Sequence, residues 1–378
     1  MKVSHQLKLV IIVICFILWV PFLVAPQEIK IKTEKGIPVV CNPKKPAPPP
    51  GVKCKLVLEE ELCLGDQEEE YLFSEKADYI STAIDDDWNI FTLDPKLVEI
   101  RKYDRTGKLL KTFGKKGYGP EEMDRPSNMM ITPQNELMFV DFGNSRIMFF
   151  SLEGDYLRYI PTYKLRLRRI KIDSQGHIVA DIMEYSQDED RERNVTYAIK
   201  RFNEELEPVF TIFSLDITED LMKSIEGRQY TFGPDTYWQR TKEDNVIIGD
   251  TRNYEFAVIN PEGKIIKRIK KEYDPGDVSQ DDIDSLSDRV KKLYTIAKHH
   301  KGFYYFTIDE EGRIFARTWE RTKDNRGYYY DVFDPEGRYI AKIPINAFIK
   351  RWIGGRLLTV EETEEGFPVV KLYKVSWR

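Results

Sequence analysis

Short runs of alternating apolar and polar residues, separated by polar turns rich in Gly, Asn and Asp, fill most of the chain. One recurring unit is an apolar residue, a short polar turn and a second apolar run. It begins at six places: Ile84, Ile131, Ile172, Thr241, Ile308 and, in a shortened form, Trp352. Alternation is typical of half-buried strands, and these turn residues favour β-hairpins. The unit therefore predicts strand, turn, strand.

A second unit of the same kind follows each of the first five copies, beginning at Tyr103, Phe150, Phe202, Ile259 and Phe333. The two units together predict four short antiparallel strands, which is one blade of a β-propeller. The sixth copy has only one further strand, Phe367–Trp377, and the strand-like segment Lys53–Gly65 supplies the missing one. We therefore predict an all-β protein, a six-bladed β-propeller over residues 53–378, with its last blade closed by an N-terminal strand.

Two stretches of the first blades carry a family resemblance. Residues Lys102–Ile131 and Asp141–Ile160 resemble NHL-type repeats of the exported bacterial six-bladed β-propeller family. The resemblance extends over about Lys53–Arg378 and is strongest in the first two blades. It implies the fold and an exported location, and it assigns no reaction.

The N-terminus has the pattern of an export segment. Lys2 and Lys8 precede an uncharged apolar run, Leu9–Ala25. This pattern predicts a signal peptide or an uncleaved N-terminal membrane anchor over residues 1–25. A Pro-rich linker is expected over residues 26–52. The expected location is the periplasm, the cell envelope or the extracellular space, with membrane attachment through residues 1–25 as one alternative.

Charge and cysteine content narrow the classes of partner. The formal net charge is −5, which argues against a general nucleic-acid binder because such proteins need a basic face. Three cysteines follow the apolar segment, so at most one internal disulfide forms. The one pairing that we considered is Cys41 with Cys54, and the alternative is three unpaired thiols.

The long loops all fall on one face of the predicted propeller. Two of them predict helical insertions, one from Ile217 and a longer one from Ser279 to His300. In the longer one, apolar residues recur near helical spacing, and Ser279 is a good N-cap. Loops held by a rigid scaffold often carry function, so this loop-rich face is the candidate functional face.

The sequence offers few catalytic groups. Its four histidines have no spacing typical of a metal site, and we predict neither a metal nor another cofactor. Carboxylates recur at the end of the second strand of four blades: Asp94, Asp141, Asp181 and Asp250. We interpret them as acceptors for backbone N–H groups of the following loops. Lactonase-type propellers hold a cation at their inner strands, whereas the corresponding positions here are too basic: Ser81, Asn128, Arg169, Arg240, Tyr305 and Arg351.

Basic residues instead cluster at the entrances of the predicted inner strands. Arg168, Arg169, Arg240 and Arg351 are expected to crowd the channel mouth as a funnel for an anion. The other ligand-binding candidates are Tyr79, Asn128, Trp238, Tyr305 and Trp352, of which the aromatic ones are suited to stacking on a sugar or peptide. The competing interpretation is that the arginines pair with loop acids such as Glu184 and Asp188.

Two classes of function fit this pattern. The favoured one is a non-enzymatic scaffold that binds an anionic, carbohydrate or peptide ligand in the channel mouth, or a protein on the loop-rich face. The alternative is a hydrolase or lyase that acts on a carbohydrate or peptide in the same funnel. No residue is identified as catalytic.

Overall fold

A computed structural model of the protein describes residues 28–65, 73–74, 76–77, 79–163, 165, 167–187, 193–217, 230–231 and 235–378. The predicted export segment and nearly all of the predicted helix from Ile217 lie outside these residues. Within them, no helix has the length and apolar character needed to cross a membrane.

Six four-stranded antiparallel units make a six-bladed propeller, as predicted. Three strands precede the first blade: β1 (Lys30–Glu34), β2 (Ile37–Asn42) and β3 (Leu56–Leu64). Blade 1 consists of β4 (Ser81–Ile84), β5 (Ile90–Asp94), β6 (Glu99–Tyr103) and β7 (Leu109–Phe113). Blade 2 consists of β8 (Pro126–Ile131), β9 (Glu136–Asp141), β10 (Arg146–Ser151) and β11 (Tyr156–Pro161). Blade 3 consists of β12 (Ile170–Ile172), β13 (Ile178–Gln187), β14 (Arg193–Phe202) and β15 (Pro208–Asp216).

The remaining blades follow the same order from the axis outwards. After β16 (Tyr230–Thr231), blade 4 consists of β17 (Thr236–Arg240), β18 (Val246–Asp250), β19 (Glu255–Ile259) and β20 (Ile265–Lys271). After β21 (Thr295–Ile296), which pairs with β16, blade 5 consists of β22 (Tyr305–Ile308), β23 (Ile314–Arg321), β24 (Tyr328–Phe333) and β25 (Tyr339–Ile345). Blade 6 contains β26 (Phe348–Ile353), β27 (Arg356–Glu362) and β28 (Pro368–Trp377), with β3 beside β28.

Apolar side chains fill every junction between neighbouring blades. One cluster joins blades 1 and 2, and others join blades 2 and 3, 3 and 4, 4 and 5, and 5 and 6. The junction of blades 6 and 1 has its own cluster, in which Ile84 and Tyr103 pack with Leu358 and Val370. Burial of this apolar surface is the main favourable contribution to folding.

The strand β3 lies antiparallel to β28, with register from Leu56 opposite Trp377 to Leu64 opposite Val370. An N-terminal strand thus occupies the outer position of blade 6. How far the stability of the ring depends on this strand stays a prediction.

The segment expected to be a linker contains a β-hairpin instead. Lys35 and Gly36 connect β1 to β2 with φ values of 50° and 79°, as a two-residue type I′ turn requires. The strand β2 pairs in parallel with β20 and extends the sheet of blade 4 to six strands. The Asn42 side chain joins it to blade 5, because its Nδ2 donates to the Gly337 carbonyl at 2.9 Å and its Oδ1 accepts from the Tyr339 N–H at 2.7 Å. Residues 30–42 are therefore part of the folded body.

The helical insertion before blade 5 differs from the single helix that we predicted. Ser279 is an N-cap with a capping box to Asp282, as expected, but this first helix, α1 (Gln280–Asp284), is short. Ser287 caps a second helix, α2 (Asp288–Leu293), and the chain then becomes extended. The serines interrupt the helix because their hydroxyls compete for backbone groups.

Cys41 and Cys54 are both free thiols, so the Cys41–Cys54 disulfide that we considered does not form.

Candidate ligand-binding site in the central channel

The inner strands of the six blades surround a cavity of about 490 Å³ on the propeller axis. Its polar lining residues are Tyr79, Ser81, Thr82, Ser127, Asn128, Lys171, Gln239, Arg240, Thr307, Lys350 and Arg351. Four of these are cations, and no carboxylate belongs to the described lining. A smaller cavity of about 290 Å³ shares Arg240 and Arg351 and is lined by Asp85, Asp86 and Asp173. The channel is therefore basic at its centre and acidic towards one end.

Strand pairing defines the height of each residue along the channel. What we call the middle ring consists of the inner-strand residues two positions before the pair that closes the following turn: Ala83, Met130, Lys171, Gln239, Thr307 and Arg351. The adjoining ring, which we call the lower ring, contains Ile84, Ile131, Ile172, Arg240, Ile308 and Trp352. Lys171 and Arg351 thus lie at one height, with Arg240 one residue further along its strand.

Lys171 and Arg351 have no direct counter-ion. No side-chain hydrogen bond or ion pair to either residue occurs among the described residues, and no carboxylate lines the cavity with them. Burial and the charges of Arg351, Arg240 and Arg169 lower the pKa of Lys171 to about 8. Burial and the charge of Arg240 lower the pKa of Arg351, whereas Glu310 opposes that shift. Both shifts report a site in which positive charge is unfavourable and an anion is favoured.

Arg240 is different, because its guanidinium pairs with Asp244. Burial opposes ionisation of Asp244, but hydrogen bonds from Ser174 and the charge of Arg240 outweigh it and lower the pKa of that carboxyl. Arg240 therefore adds less net charge to the channel than its position suggests.

A β-bulge between Ile349 and Arg351 explains why two consecutive residues of β26 line the channel. Ile349 pairs with Thr359 and Arg351 with Leu358, so Lys350 is the extra residue. Bulges re-aim side chains in this way. In blade 2, another bulge contains Asn128, whose φ is 57° and whose Nδ2 donates to the Ile170 carbonyl at 3.2 Å.

Two of the predicted arginines do not line the described channel. Arg168 is exposed, before the start of β12. Arg169 donates from Nη2 to the Thr236 carbonyl at 2.9 Å and forms an ion pair with Asp181 at 3.2 Å. Arg168, Arg240 and Arg351 therefore do not crowd one mouth together, because the three lie at different positions along the inner strands.

The predicted tryptophan platforms are core residues. Trp238 is 2% exposed in the cluster between blades 3 and 4. Trp352 is 8% exposed and stacks on Phe315 with a centroid distance of 4.4 Å. Alternation along the inner strand directs these rings into the blade junctions, so neither is available to a ligand. Tyr79, by contrast, is exposed and lines the channel.

Tyr305 belongs to a separate basic and aromatic cluster near the starts of the inner strands. Its hydroxyl bonds to that of Tyr330 at 2.6 Å, and the Arg317 guanidinium carbon lies 4.9 Å from the centre of its ring. Arg317 also contacts Tyr328 and Tyr304, and the Lys301 amine lies 5.0 Å from the Tyr304 ring centre. Here cations rest on ring faces, which offset part of their charge.

Two of the four recurring aspartates accept from the following loop, as the sequence predicts, whereas Asp141 and Asp181 accept from the N–H groups of Asp124 and Arg169, which precede their strands. Asp94 accepts from the N–H groups of Lys96 and Leu97, and Asp250 accepts from that of Arg252. The loop acid Glu184 pairs with Lys200 at 2.6 Å and not with the channel arginines. The other suggested partner, Asp188, lies outside the described residues.

Sequence reasoning missed six polar channel residues: Thr82, Ser127, Lys171, Gln239, Thr307 and Lys350. The position of each residue relative to the following turn could have identified three of them. Lys171, Gln239 and Thr307 all lie two residues before the first turn residue. The described part of the chain contains no group of three or more His, Cys, Asp or Glu side chains arranged to hold a metal ion. The hydrolase or lyase alternative stays a hypothesis.

Comparisons with known proteins identify the fold family. The chain is similar to a Bacteroides fragilis protein described as a candidate exported protein, with 12% identity, a TM-score of 0.56 and coverage of 89% of this chain and 99% of that one. Virginiamycin B lyase of Staphylococcus aureus has 12% identity, a TM-score of 0.46 and coverage of 84% and 99%. A Xanthomonas campestris gluconolactonase has 11% identity, a TM-score of 0.46 and coverage of 86% and 99%.

At such low identities these likenesses concern the fold alone, and the two enzymes are too distant to support an activity. A comparison with curated protein sequences gave no match. The specific NHL-type assignment stays a prediction. The model of the DUF5128 family, described as a 6-bladed beta-propeller, matches residues 78–367, and the chain belongs to this family.

Proposed function

We propose that the protein is an exported, non-enzymatic binding propeller whose central channel takes up a small anionic ligand. The observation that supports this most directly is the pair Lys171 and Arg351 at one height of the channel, without a carboxylate among the described lining residues. Like charges held close together in a partly desolvated site destabilise the free protein. A bound anion relieves that repulsion.

The lining also indicates what kind of anion fits. The cavity of about 490 Å³ lies in the range usual for small-molecule sites. An arginine fork matches a carboxylate or a phosphate, and the neutral side chains of Gln239, Thr307 and Asn128 offer hydrogen bonds to hydroxyl or carbonyl groups. We therefore propose a carboxylate- or phosphate-bearing ligand of the size of a sugar acid or a short acidic peptide.

Export is part of the proposal. The basic and then apolar pattern of residues 1–25 supports it, and so does the description of the Bacteroides fragilis protein as a candidate exported protein. The ligand would then be met in the periplasm, the cell envelope or the surrounding medium.

The test is a thermal-melting screen with inorganic phosphate, citrate and galacturonate. A ligand that binds the folded state stabilises it by about 2.7 kcal/mol at 100 times its dissociation constant. We expect at least one of these anions to raise the melting temperature, and the effect to weaken as sodium chloride increases.

Two double variants with the same loss of charge locate the effect. Lys171→Gln with Arg351→Gln removes the charge pair of the middle ring, whereas Arg105→Gln with Arg168→Gln removes two exposed charges. We expect the anion-dependent shift to vanish in the first variant and to persist in the second. If the two variants lose the shift equally, or if none of the three anions stabilises the parent, the proposal is wrong.

A further inference from the structure

Lys171 has the surroundings of a reactive amine. It lies on β12 in the middle ring, half-buried, and its side chain lines the cavity. No described acceptor or carboxylate pairs with its ammonium group, whereas the buried lysines Lys102 and Lys271, on outer strands of their blades, pair with Glu153 and Asp331. A lysine in this setting is not explained by a structural ion pair.

The charges around the amine favour its neutral form. Arg351 occupies the same ring, Arg240 lies in the lower ring, Arg169 stands near the start of β12, and Lys350 also lines the cavity. Burial and the three arginines lower the pKa of Lys171 to about 8, so about a tenth of the amine is unprotonated at pH 7. Enzymes activate nucleophilic lysines by the same two means, desolvation and an adjacent cation.

We propose that Lys171 captures the carbonyl carbon of a small anionic aldehyde or 2-oxo acid as a Schiff base, with Arg351 holding the anionic group. This inference rests on the proposed anion-binding function of the channel and narrows its ligand to compounds that carry a carbonyl group beside a carboxylate or phosphate.

The chemistry needs no oxidant, reductant or metal. The lone pair of Nζ attacks the carbonyl carbon, and the electron pair of the C=O double bond moves to oxygen, which takes up a proton. The resulting carbinolamine loses water, with one proton leaving nitrogen, and a C=N double bond forms. The Thr307 hydroxyl and the Gln239 amide lie in the same ring as Lys171 and would hydrogen-bond the departing oxygen, the amide through the N–H that it does not donate to the Phe306 carbonyl.

The experiment traps the Schiff base in the folded, full-length protein. Glyoxylate, an aldehyde with a carboxylate, is added with sodium cyanoborohydride, which delivers hydride to the iminium carbon and leaves a stable secondary amine on lysine. Peptide mass spectrometry then gives the rate of labelling at each lysine. Because burial and the neighbouring arginines lower the pKa of Lys171 to about 8, we expect it to be labelled about 10-fold faster near neutral pH than Lys242, which is exposed.

Three comparisons make the result decisive. The labelling rate of Lys171 should rise with pH with a midpoint near 8. Glyoxylate should label it faster than acetaldehyde, which lacks the anionic group, and Arg351→Gln should remove that preference. Lys171→Arg should remove the label at this position and leave the labelling of Lys242 unchanged.

The inference and the proposed function fail in different ways. If phosphate or citrate stabilises the parent but Lys171 reacts no faster than Lys242, anion binding stands and the Schiff-base inference is wrong. If acetaldehyde labels Lys171 as fast as glyoxylate and no anion raises the melting temperature, Lys171 is reactive without an anion site. That result overturns both the proposed function and the inference as stated.

Discussion

Two pairs of charged residues, one in blade 2 and one on the propeller axis, differ in whether their charges are balanced within the protein. In blade 2, Asp141 and Arg146 are both buried and form an ion pair at 3.1 Å. Arg146 also donates to the carbonyls of Gly119 and Glu122, and Asp141 accepts from the Asp124 N–H. In the middle ring, Lys171 and Arg351 have no such partners among the described residues.

The difference distinguishes charges that stabilise the fold of this propeller from charges that are available to a ligand. In blade 2, the ion pair and its hydrogen bonds hold a loop on the blade. These interactions offset the desolvation cost of both buried charges. In the middle ring no described ion pair or hydrogen bond offsets the desolvation cost of Lys171 and Arg351, and only the more distant charge of Glu310 favours the charged form of Arg351. A fold keeps such a site at the expense of stability, which is typical of positions selected for binding.

The largest effect is expected from breaking the balanced pair. Arg146→Ala leaves Asp141 buried without its charge partner and leaves the Gly119 and Glu122 carbonyls without their hydrogen-bond donor. We therefore expect the free energy of unfolding to fall by about 3–5 kcal/mol. Urea denaturation measures it. Arg146→Lys, which keeps the charge but not the fork, should lose less. A loss below about 1 kcal/mol in Arg146→Ala would mean that the pair behaves like a surface ion pair, and the contrast with the channel would disappear.

The blades were predictable because their signal is local and repeated. Each copy carries its own turn residues and alternation, so blade 3 supports the interpretation of blade 1. The hairpin β1–β2 was missed because it occurs once and its turn, Lys35–Gly36, lacks the usual Asn or Asp. The Pro-rich residues that follow it drew the whole segment into the linker prediction.

The candidate site was only partly predictable, because it depends on register. Arg240 stands where four other blades have isoleucine, and that exception is visible in the repeat itself. The equal height of Lys171 and Arg351 is not visible, since the turn of blade 6 has two residues between its closing pair, Ile353 and Arg356, whereas that of blade 3 has three between Asp173 and His177. For the same reason Trp238 and Trp352 were assigned to the mouth, although alternation buries both.

A smaller effect, of opposite sign, is expected in the middle ring. The pKa of Lys171 is lowered in the folded state, so the protonated amine destabilises the fold at every pH below about 8. As the pH rises from about 8 towards 10.5, the folded protein releases the proton before the unfolded chain does, and the penalty disappears.

Lys171→Met should therefore be more stable than the parent by about 1 kcal/mol at pH 7, a value discounted for the solvent that reaches the channel. The gain should shrink as the pH approaches 10. Comparing variant with parent in parallel urea titrations cancels the contributions of other lysines with lowered pKa, such as Lys271 and Lys301. If the variant is less stable than the parent at pH 7, the positive charge of Lys171 is compensated within the protein and the prediction is wrong.

The smallest effect should come from Asp244, the one described carboxylate that pairs with a channel cation. Asp244→Asn removes the counter-charge of Arg240 but keeps an oxygen for the Ser174 hydrogen bonds. Asn also tolerates the φ of 61° at this position. The channel thereby gains one net positive charge near the middle ring. We expect phosphate to bind about threefold more tightly, equivalent to about 0.6 kcal/mol, with a small loss of stability without ligand.

Phosphate titrations followed by melting temperature measure the change. Asp274→Asn is the matched control. Asp274 lies on the insertion before blade 5, and its exposed carboxylate also pairs with a cation, that of Lys44. It should leave phosphate affinity as it is in the parent. Weaker phosphate binding in Asp244→Asn would mean that the carboxylate orients Arg240 towards the ligand. Arg240 would then be a charge balanced within the protein, like the Asp141–Arg146 pair, and Lys171 and Arg351 would be the two cations of the channel site.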